Sequence, residues 1–310
     1  MKIVNIIGGL GNQMFQCAFA MALKKHYPNE EVYIDTSHYN YIFVKKIGPM
    51  NMHNGYEIEE VFSNFNIPTA SSRKLKKVSW HVPNFVLSRV LRKFLPKKKA
   101  EYTEKRNFTF YDDVFAQNGD RYFDGYWQCA KYFEDIKPEV IKAFAFPPLN
   151  EYSKGMVKQI EATESVGIHV RRGDFLKDSE FGGICGLGYL SDAIKEILKE
   201  KKQYTFFVFS NDINWCKENL APLISGHEIV FTNGNRGKES IFDMYLMSQC
   251  KNLIIANSSF SWWGAFFNTQ GGKVIAPHPW IDRNQEFDIY GSEWIKIESS
   301  DREFSNYKKE

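Results

Sequence analysis

The chain has 310 residues, 43% hydrophobic and 25% charged, the balance of a soluble globular protein with room for two domains. A net charge of only +3 leaves overall electrostatics with little to say about partners. Five scattered cysteines (Cys17, Cys129, Cys185, Cys216, Cys250) contain no Cys-x-x-Cys pair, which argues against a zinc site or a disulfide framework and fits a reducing cytoplasm.

The N-terminal segment reads as strand Lys2–Ile7, a glycine turn, a helix over about 12–26 and strand Glu31–Asp35. Such a βαβ start favours a parallel sheet. No basic region and long apolar core precede the first strand, so no signal peptide is expected, and no run approaches the roughly 18–20 apolar residues that span a bilayer. From about 40 to 110 the pattern weakens. Residues 73–99 mix Lys and Arg with Trp80, Phe85, Leu87, Val90, Leu91, Phe94 and Leu95. Helical spacing puts Leu87, Val90, Leu91 and Phe94 on one face and Arg89, Arg92 and Lys93 on another. That describes either a helix with a solvated basic face or a peripheral contact with anionic lipid or a lipid-diphosphate. The stretch is too short to suggest nucleic-acid binding.

Strand-like Arg121–Phe123 leads into Asp124-Gly125-Tyr126-Trp127-Gln128 and then a helical Cys129–Ile136. A strand end meeting a helix start is where open α/β sheets place ligand contacts, so Tyr126 and Trp127 either stack on sugar or simply pack. Most of the 26 Phe are read as core. Phe146-Pro147-Pro148-Leu149 marks the approach to a domain boundary. Beyond it come strand Ser165–Val170, a Gly-rich loop over Phe181–Gly188, a helix over 189–201, strand Tyr204–Phe209 ending at Ser210-Asn211-Asp212, and helix Ile213–Asn219. Strand Glu228–Phe231, helix 239–249, strand 252–256, helix 261–268 and strand Gly272–Ala276 complete an α/β alternation of Rossmann-like type.

Three stretches carry chemistry. Gly167-Ile168-His169-Val170-Arg171-Arg172-Gly173-Asp174 puts two guanidiniums beside a flexible glycine and a carboxylate at a buried strand's end. A guanidinium fork binds two phosphate oxygens at once, though an Arg-Arg-Gly-Asp turn by itself could also be a structural ion pair. Gly8-Gly9-Leu10-Gly11-Asn12-Gln13 follows the first strand; its spacing is not the dinucleotide fingerprint. Ala256-Asn257-Ser258-Ser259-Phe260-Ser261-Trp262 follows a late strand. No Gly-x-x-x-x-Gly-Lys-Ser/Thr occurs, which excludes a P-loop phosphotransferase.

In this order the three motifs resemble those of the inverting α-1,2-fucosyltransferases of bacterial type that use GDP-fucose, over the chain from the first strand to about Trp280. The resemblance implies the GT-B architecture of two facing Rossmann-like domains, with residues 1–155 binding acceptor and 156–310 binding the donor. It implies transfer of L-fucose to the 2-hydroxyl of a galactose-terminated glycan or lipid-linked oligosaccharide. The alternatives are another linkage or deoxysugar, or a glycan- or nucleotide-binding relative without transfer. By motif match Arg171 contacts the β-phosphate, and Arg172 supports it or holds Asp174. His169 lies by the nucleotide, unless it is a plain core histidine. Gly9, Gly11 and Asn12 approach the reacting sugar, with Gln13 beside them. Ser258 and Ser259 meet the phosphates. Asp243 accepts from the guanine edge, although on sequence alone it could be a solvated helix residue. Asp174 is first choice as catalytic base or Arg172 scaffold, with Asp178 and Glu180 behind it. The arginines and the helix N-termini after Gly11 and Ser259 stand in for a metal, since no Asp-x-Asp occurs and Asp112-Asp113 is a weak substitute. A secretory-pathway relative would carry a membrane anchor, so the expected location is cytoplasmic, with 73–99 as a peripheral contact to the inner membrane.

Overall fold

The computed structural model describes residues 1–39, 55–82, 85–173, 178–283 and 285–298. The chain divides into two compact units, Met1–Ala145 and Phe146–Glu310. The division falls just ahead of Pro147-Pro148, ten residues before the boundary read from the sequence, which lies inside helix Glu151–Glu161. That helix is tied to the second unit: its N-cap Asn150 accepts from Ser153 N at 2.8 Å and donates to Asn235 Oδ1 at 3.1 Å. Each unit is an α/β domain on a parallel sheet, Rossmann-like in type, as the alternation in the sequence implied.

In the first unit, strands β1 (Lys2–Asn5), β2 (Val32–Asp35), β3 (Glu101–Thr103) and β4 (Arg121–Asp124) pair in the order β2-β1-β4-β3, all parallel. β1 is buried along its whole length, its polar ends included: Lys2 Nζ donates to Gly119 O at 2.8 Å and Asn5 Nδ2 to Asp124 Oδ1 at 2.7 Å. Helix α1 (Leu10–His26) follows it, and Lys24, Lys25 and His26 in its last turn complement the helix dipole. Gly8 is needed before it: its φ is +84°, and a Cβ there would sit 2.6 Å from Asn12 Nδ2. Helices α2 (Ser72–Val78) and α3 (Phe85–Phe94) precede β3. The helical pattern of 129–136 becomes two short 3₁₀ turns followed by α4 (Lys137–Ala143), whose start is set by Pro138 in its first turn. The weak pattern between 40 and 110 conceals α2 and the three-residue β3, which is too short to show alternation.

After α5 (Glu151–Glu161) the second unit builds six parallel strands. They are β5 (Ser165–Val170), β6 (Thr205–Ser210), β7 (Glu228–Thr232), β8 (Asn252–Ile254), β9 (Val274–His278) and β10 (Ile295–Glu298). Their spatial order is β7-β6-β5-β8-β9-β10, which counted from β5 is the 3-2-1-4-5-6 order of the Rossmann fold. β5 lies at the centre, wholly buried. Val166, Ile168 and Val170 pack with Tyr189, Leu190, Ala193, Ile194 and Ile197 of α6 (Leu187–Leu198). On the other face Gly167 admits close packing, since a Cβ would lie 2.8 Å from Leu253 Cδ2 and 3.1 Å from Cys250 Sγ. Helices α7 (Ile241–Gln249) and α8 (Ser259–Phe266) flank β8. The expected helix over 213–219 is one α turn, Ile213–Trp215, continued by a π turn, Cys216–Leu220.

Candidate active site

Strand order reverses at β5/β8 in the second unit, and in an open parallel sheet the crevice outside the carboxyl ends of two such strands is where ligands bind. The double arginine leaves β5 at that point, and Ser258-Ser259 follow β8. The turn is held by a residue that the sequence motifs passed over. Asn211, just beyond β6, accepts from Arg172 N at 2.9 Å and donates to Arg172 O at 2.9 Å. Gly173 has φ +75°, and a Cβ there would lie 3.2 Å from Asn211 Nδ2, so this turn calls for glycine. The Arg172 guanidinium stacks over Trp215 at 3.9 Å, and its Nε lies 3.6 Å from Asp212 Oδ2. Asp212 also caps the helical turn behind it, accepting from Trp215 N at 3.1 Å. Asp174 lies outside the described residues.

His169 points from β5 into the same region. Burial, reinforced by the Arg171 charge, pushes its imidazole down to about 3, so the ring is neutral throughout the physiological range. Its Nδ1 is buried with no hydrogen-bond partner, and Phe260 of α8 stands 5.9 Å away, centroid to centroid. Such a ring suits contact with a base or ribose better than with an anion.

Asp243 in the first turn of α7 is not a solvated helix residue. Burial raises its carboxyl to about 6, and Asn235 Nδ2 donates to its Oδ1 at 2.8 Å. Asn235 is fixed in turn by Ser153 of α5. Ser258 is the N-cap of α8, its hydroxyl accepting from Phe260 N at 3.4 Å, whereas Ser259 opens the helix and is only partly buried. The side chain between strand and cap matters more than its neighbours suggested. Asn257 donates to Phe181 O at 3.0 Å and Trp280 O at 3.2 Å and accepts from Cys185 Sγ at 3.3 Å, tying the Gly-rich loop to the sheet edge. Asp178 and Glu180, held in reserve as bases, are engaged elsewhere: Asp178 caps Glu180 N and Phe181 N, and Glu180 pairs with Arg283.

In the first unit the order reverses at β1/β4, and the carboxyl ends there carry the glycine turn and Asp124–Gln128. The amides divide their work. Gln13 is fully buried, donating to Gly8 O at 3.1 Å and Gly55 O at 2.8 Å and accepting from Glu57 N at 2.9 Å. It is therefore a clamp for the turn. Gln16 does the same between Ile7 N and Gly125 O. Asn12 is partly exposed, with Oδ1 accepting from Gln128 Nε2 at 2.7 Å. Gly9 caps α1 through its carbonyl, which receives Asn12 N and Gln13 N, and Gly11 is buried in the first turn.

Beside this turn stands another unforeseen group. Glu104 accepts from Tyr126 N at 2.7 Å and Trp127 N at 3.2 Å, and burial raises its carboxyl to about 7. Trp127 is core: it is buried and stacks on Phe19 at 4.4 Å, while Tyr126 stays partly exposed. Asp113 is taken by Lys105 and by Tyr102 Oη, and among the described residues no group of three His, Cys, Asp or Glu is placed to hold a metal.

Comparison with known proteins covers nearly the whole chain. Glycosyl transferase family 11 matches residues 1–298. An alpha-1,2-colitosyltransferase of Escherichia coli is 33% identical over 314 residues, spanning 96% of this chain and 98% of that protein. The O-antigen biosynthesis glycosyltransferase WbnK, also of E. coli, is 28% identical across 94% of this chain and 98% of its own length. Rat galactoside alpha-(1,2)-fucosyltransferase 2 is 26% identical, over 89% of this chain and 68% of that protein.

Proposed function

The chain belongs to glycosyl transferase family 11, the α-1,2-fucosyltransferase family, and on that footing we propose that it moves L-fucose from GDP-fucose to the 2-hydroxyl of a terminal galactoside in a surface glycan, with inversion. The observation that carries the reading is the paired-arginine turn at the β5/β8 switch point, with the first turn of α8 alongside. In this reading Arg171 binds the β-phosphate, where charge develops as the sugar bond breaks; a donor fixed there before reaction is the largest available catalytic effect. Arg172, braced by Trp215 and Asp212, adds a second fixed cation. Ser259 and the backbone N–H groups opening α8 serve the phosphates, since Ser258 spends its hydroxyl on its own helix. Neutral His169 lies against the nucleoside, and Asp243 accepts from the guanine edge. No metal takes part in this scheme.

The first unit receives the acceptor, with Gly9, Gly11 and Asn12 shaping its surface and Tyr126 beside them. Because Arg172 already has Asp212 to orient it, Asp174 is assigned as the base that draws the proton from the acceptor hydroxyl. The enzyme works in the cytoplasm at the inner membrane; among the described residues no helix is long and apolar enough to cross a bilayer. A second reading is favoured by one of the relatives above: the same displacement with a colitosyl donor in place of fucose.

Mass spectrometry and linkage analysis of products from GDP-fucose with a panel of galactosides tests the proposal. A 2-linked fucosyl product supports it. GDP binding without transfer to any galactoside would overturn it, and turnover confined to a colitosyl donor would select the second reading.

A further inference from the structure

Helix α3 is inside out for a surface helix. Ordinarily the apolar stripe faces the core. Here polar groups are turned inward: Ser88 is 5% exposed and bridges Val82 N and O at 2.9 Å each. One turn on, Arg92 donates to Tyr122 Oη at 2.9 Å and Ser79 Oγ at 3.3 Å and lies 3.7 Å from buried Asp35. The outward stripe is Leu87, Val90 and Phe94, at i, i+3 and i+7, exposed by 48%, 43% and 75%, with Leu95 beside it at 37%. Apart from Ile141, these are all the large hydrophobic side chains that stand exposed among the described residues.

The charge along this stretch of chain is of one sign. Between Glu60 and Glu101 the chain has ten Lys and Arg and no Asp or Glu, so this stretch carries +10 against +3 for the whole chain. Arg92 is turned inward and Lys74 pairs with Glu31, but Arg73, Lys76, Lys77, Lys93, Lys97 and Lys99 remain exposed. We infer that this face, the apolar stripe of α3 with Lys93 lying over Phe94 and with Lys97 and Lys99 just beyond the helix end, is a docking surface for an anionic phospholipid bilayer. The stripe enters the boundary between headgroups and acyl chains while the lysine stems let their ammonium groups reach the phosphates. Nucleic acid would leave the aliphatic stripe in water. A second copy docking by the same face would bring two strongly positive patches together.

This inference is independent of the transfer reaction, because transfer to a soluble galactoside reports on the site and vesicle binding on the surface. The full chain is sedimented with vesicles of phosphatidylcholine alone and with about one third phosphatidylglycerol. Binding to the anionic vesicles only, weakened by salt, is expected. Each basic residue near such a surface changes partitioning roughly fivefold, so Lys93→Glu, Lys97→Glu and Lys99→Glu together should weaken it about a hundredfold or more. Leu87→Ser with Phe94→Ser should also abolish capture, and both variants should retain transfer to a soluble acceptor, which shows that they fold. Failure of the wild type to bind anionic vesicles, or equal binding to neutral ones, would overturn the inference. So would displacement by millimolar pyrophosphate, which would mark a discrete diphosphate site, or a dimer in solution that Phe94→Ser dissolves.

Discussion

Arg171 and Arg172 are neighbours in the chain, and the role proposed for Arg171 is open to measurement. Arg171→Ala should raise the transfer barrier by about 3–5 kcal/mol, the scale of losing a charged donor at the developing anion. Arg171→Lys should recover only part of that, since an ammonium cannot bind two oxygens in a fork; wild-type kcat/KM in the alanine variant would remove the β-phosphate role. For Asp174→Asn, base catalysis predicts a fall in kcat of about 10²–10⁴-fold with GDP affinity nearly constant. A parallel loss of GDP affinity would return Asp174 to holding Arg172. Asp243 supplies a pH handle. In the proposed role its carboxyl, raised by burial to about 6, accepts from the guanine edge only when ionised. GDP affinity measured by calorimetry should therefore fall roughly tenfold between pH 7 and pH 5, and Asp243→Asn should flatten the profile at the weaker level. His169 does not confuse the result, because it stays neutral across that window. A pH-independent GDP affinity in the wild type would take Asp243 out of the site.

At the scale of elements, both switch points depend on polar side chains that stitch loops to strand ends: Asn211 and Asn257 in one sheet, Gln13, Gln16 and Glu104 in the other. Glu104 leaves a thermodynamic signature. Its folded carboxyl is held near about 7 by burial, against roughly 4.3 in an unfolded chain. Between those values the folded state binds more protons, so the contribution of Glu104 to stability is full below about pH 4.3 and is lost as pH rises through about 7. The whole change is about 4 kcal/mol. Urea unfolding of wild type and Glu104→Gln at pH 5 and pH 8 isolates it: the wild type's advantage should shrink at the higher pH. A difference between the two proteins that does not vary with pH would mean that the carboxyl is not desolvated, and that the Tyr126–Trp127 loop is held by other contacts.

For the molecule as a whole, the proposed division of labour places fixed cations where other transferases use a metal. Transfer should then persist in excess EDTA at nearly the untreated rate. Activity that collapses in chelator and returns only with Mn²⁺ or Mg²⁺ would show that Arg171 and Arg172 do not carry the leaving charge. The α/β class of both units and the family were legible because they rest on local regularities. Buried parallel strands carry continuous apolar runs such as Phe206–Phe209, and glycines, arginines and small polar residues follow the strands at set spacings.

The sequence by itself determined where the candidate turns lie: those after β1, β5 and β8 were located from apolar runs breaking into Gly, Arg and Ser, since a strand's period and its termination are properties of adjacent residues. Which side chains at the strand ends are already engaged within the protein was decided only by the tertiary structure. Gln13 turned out to be a buried clamp, Trp127 core and Ser258 a helix cap, because each finds its partner in a neighbouring turn, strand or helix. Strand order belongs to the same class. That β5 sits between β6 and β8, with Asn211 reaching Arg172 across 39 residues, comes from hydrogen bonding between strands far apart in the chain. The outward stripe of α3 divides in the same way. Its amphipathic spacing was visible in the sequence, but the side that faces water was set by Asp35, Ser79 and Tyr122, which draw Arg92 inward from outside the helix.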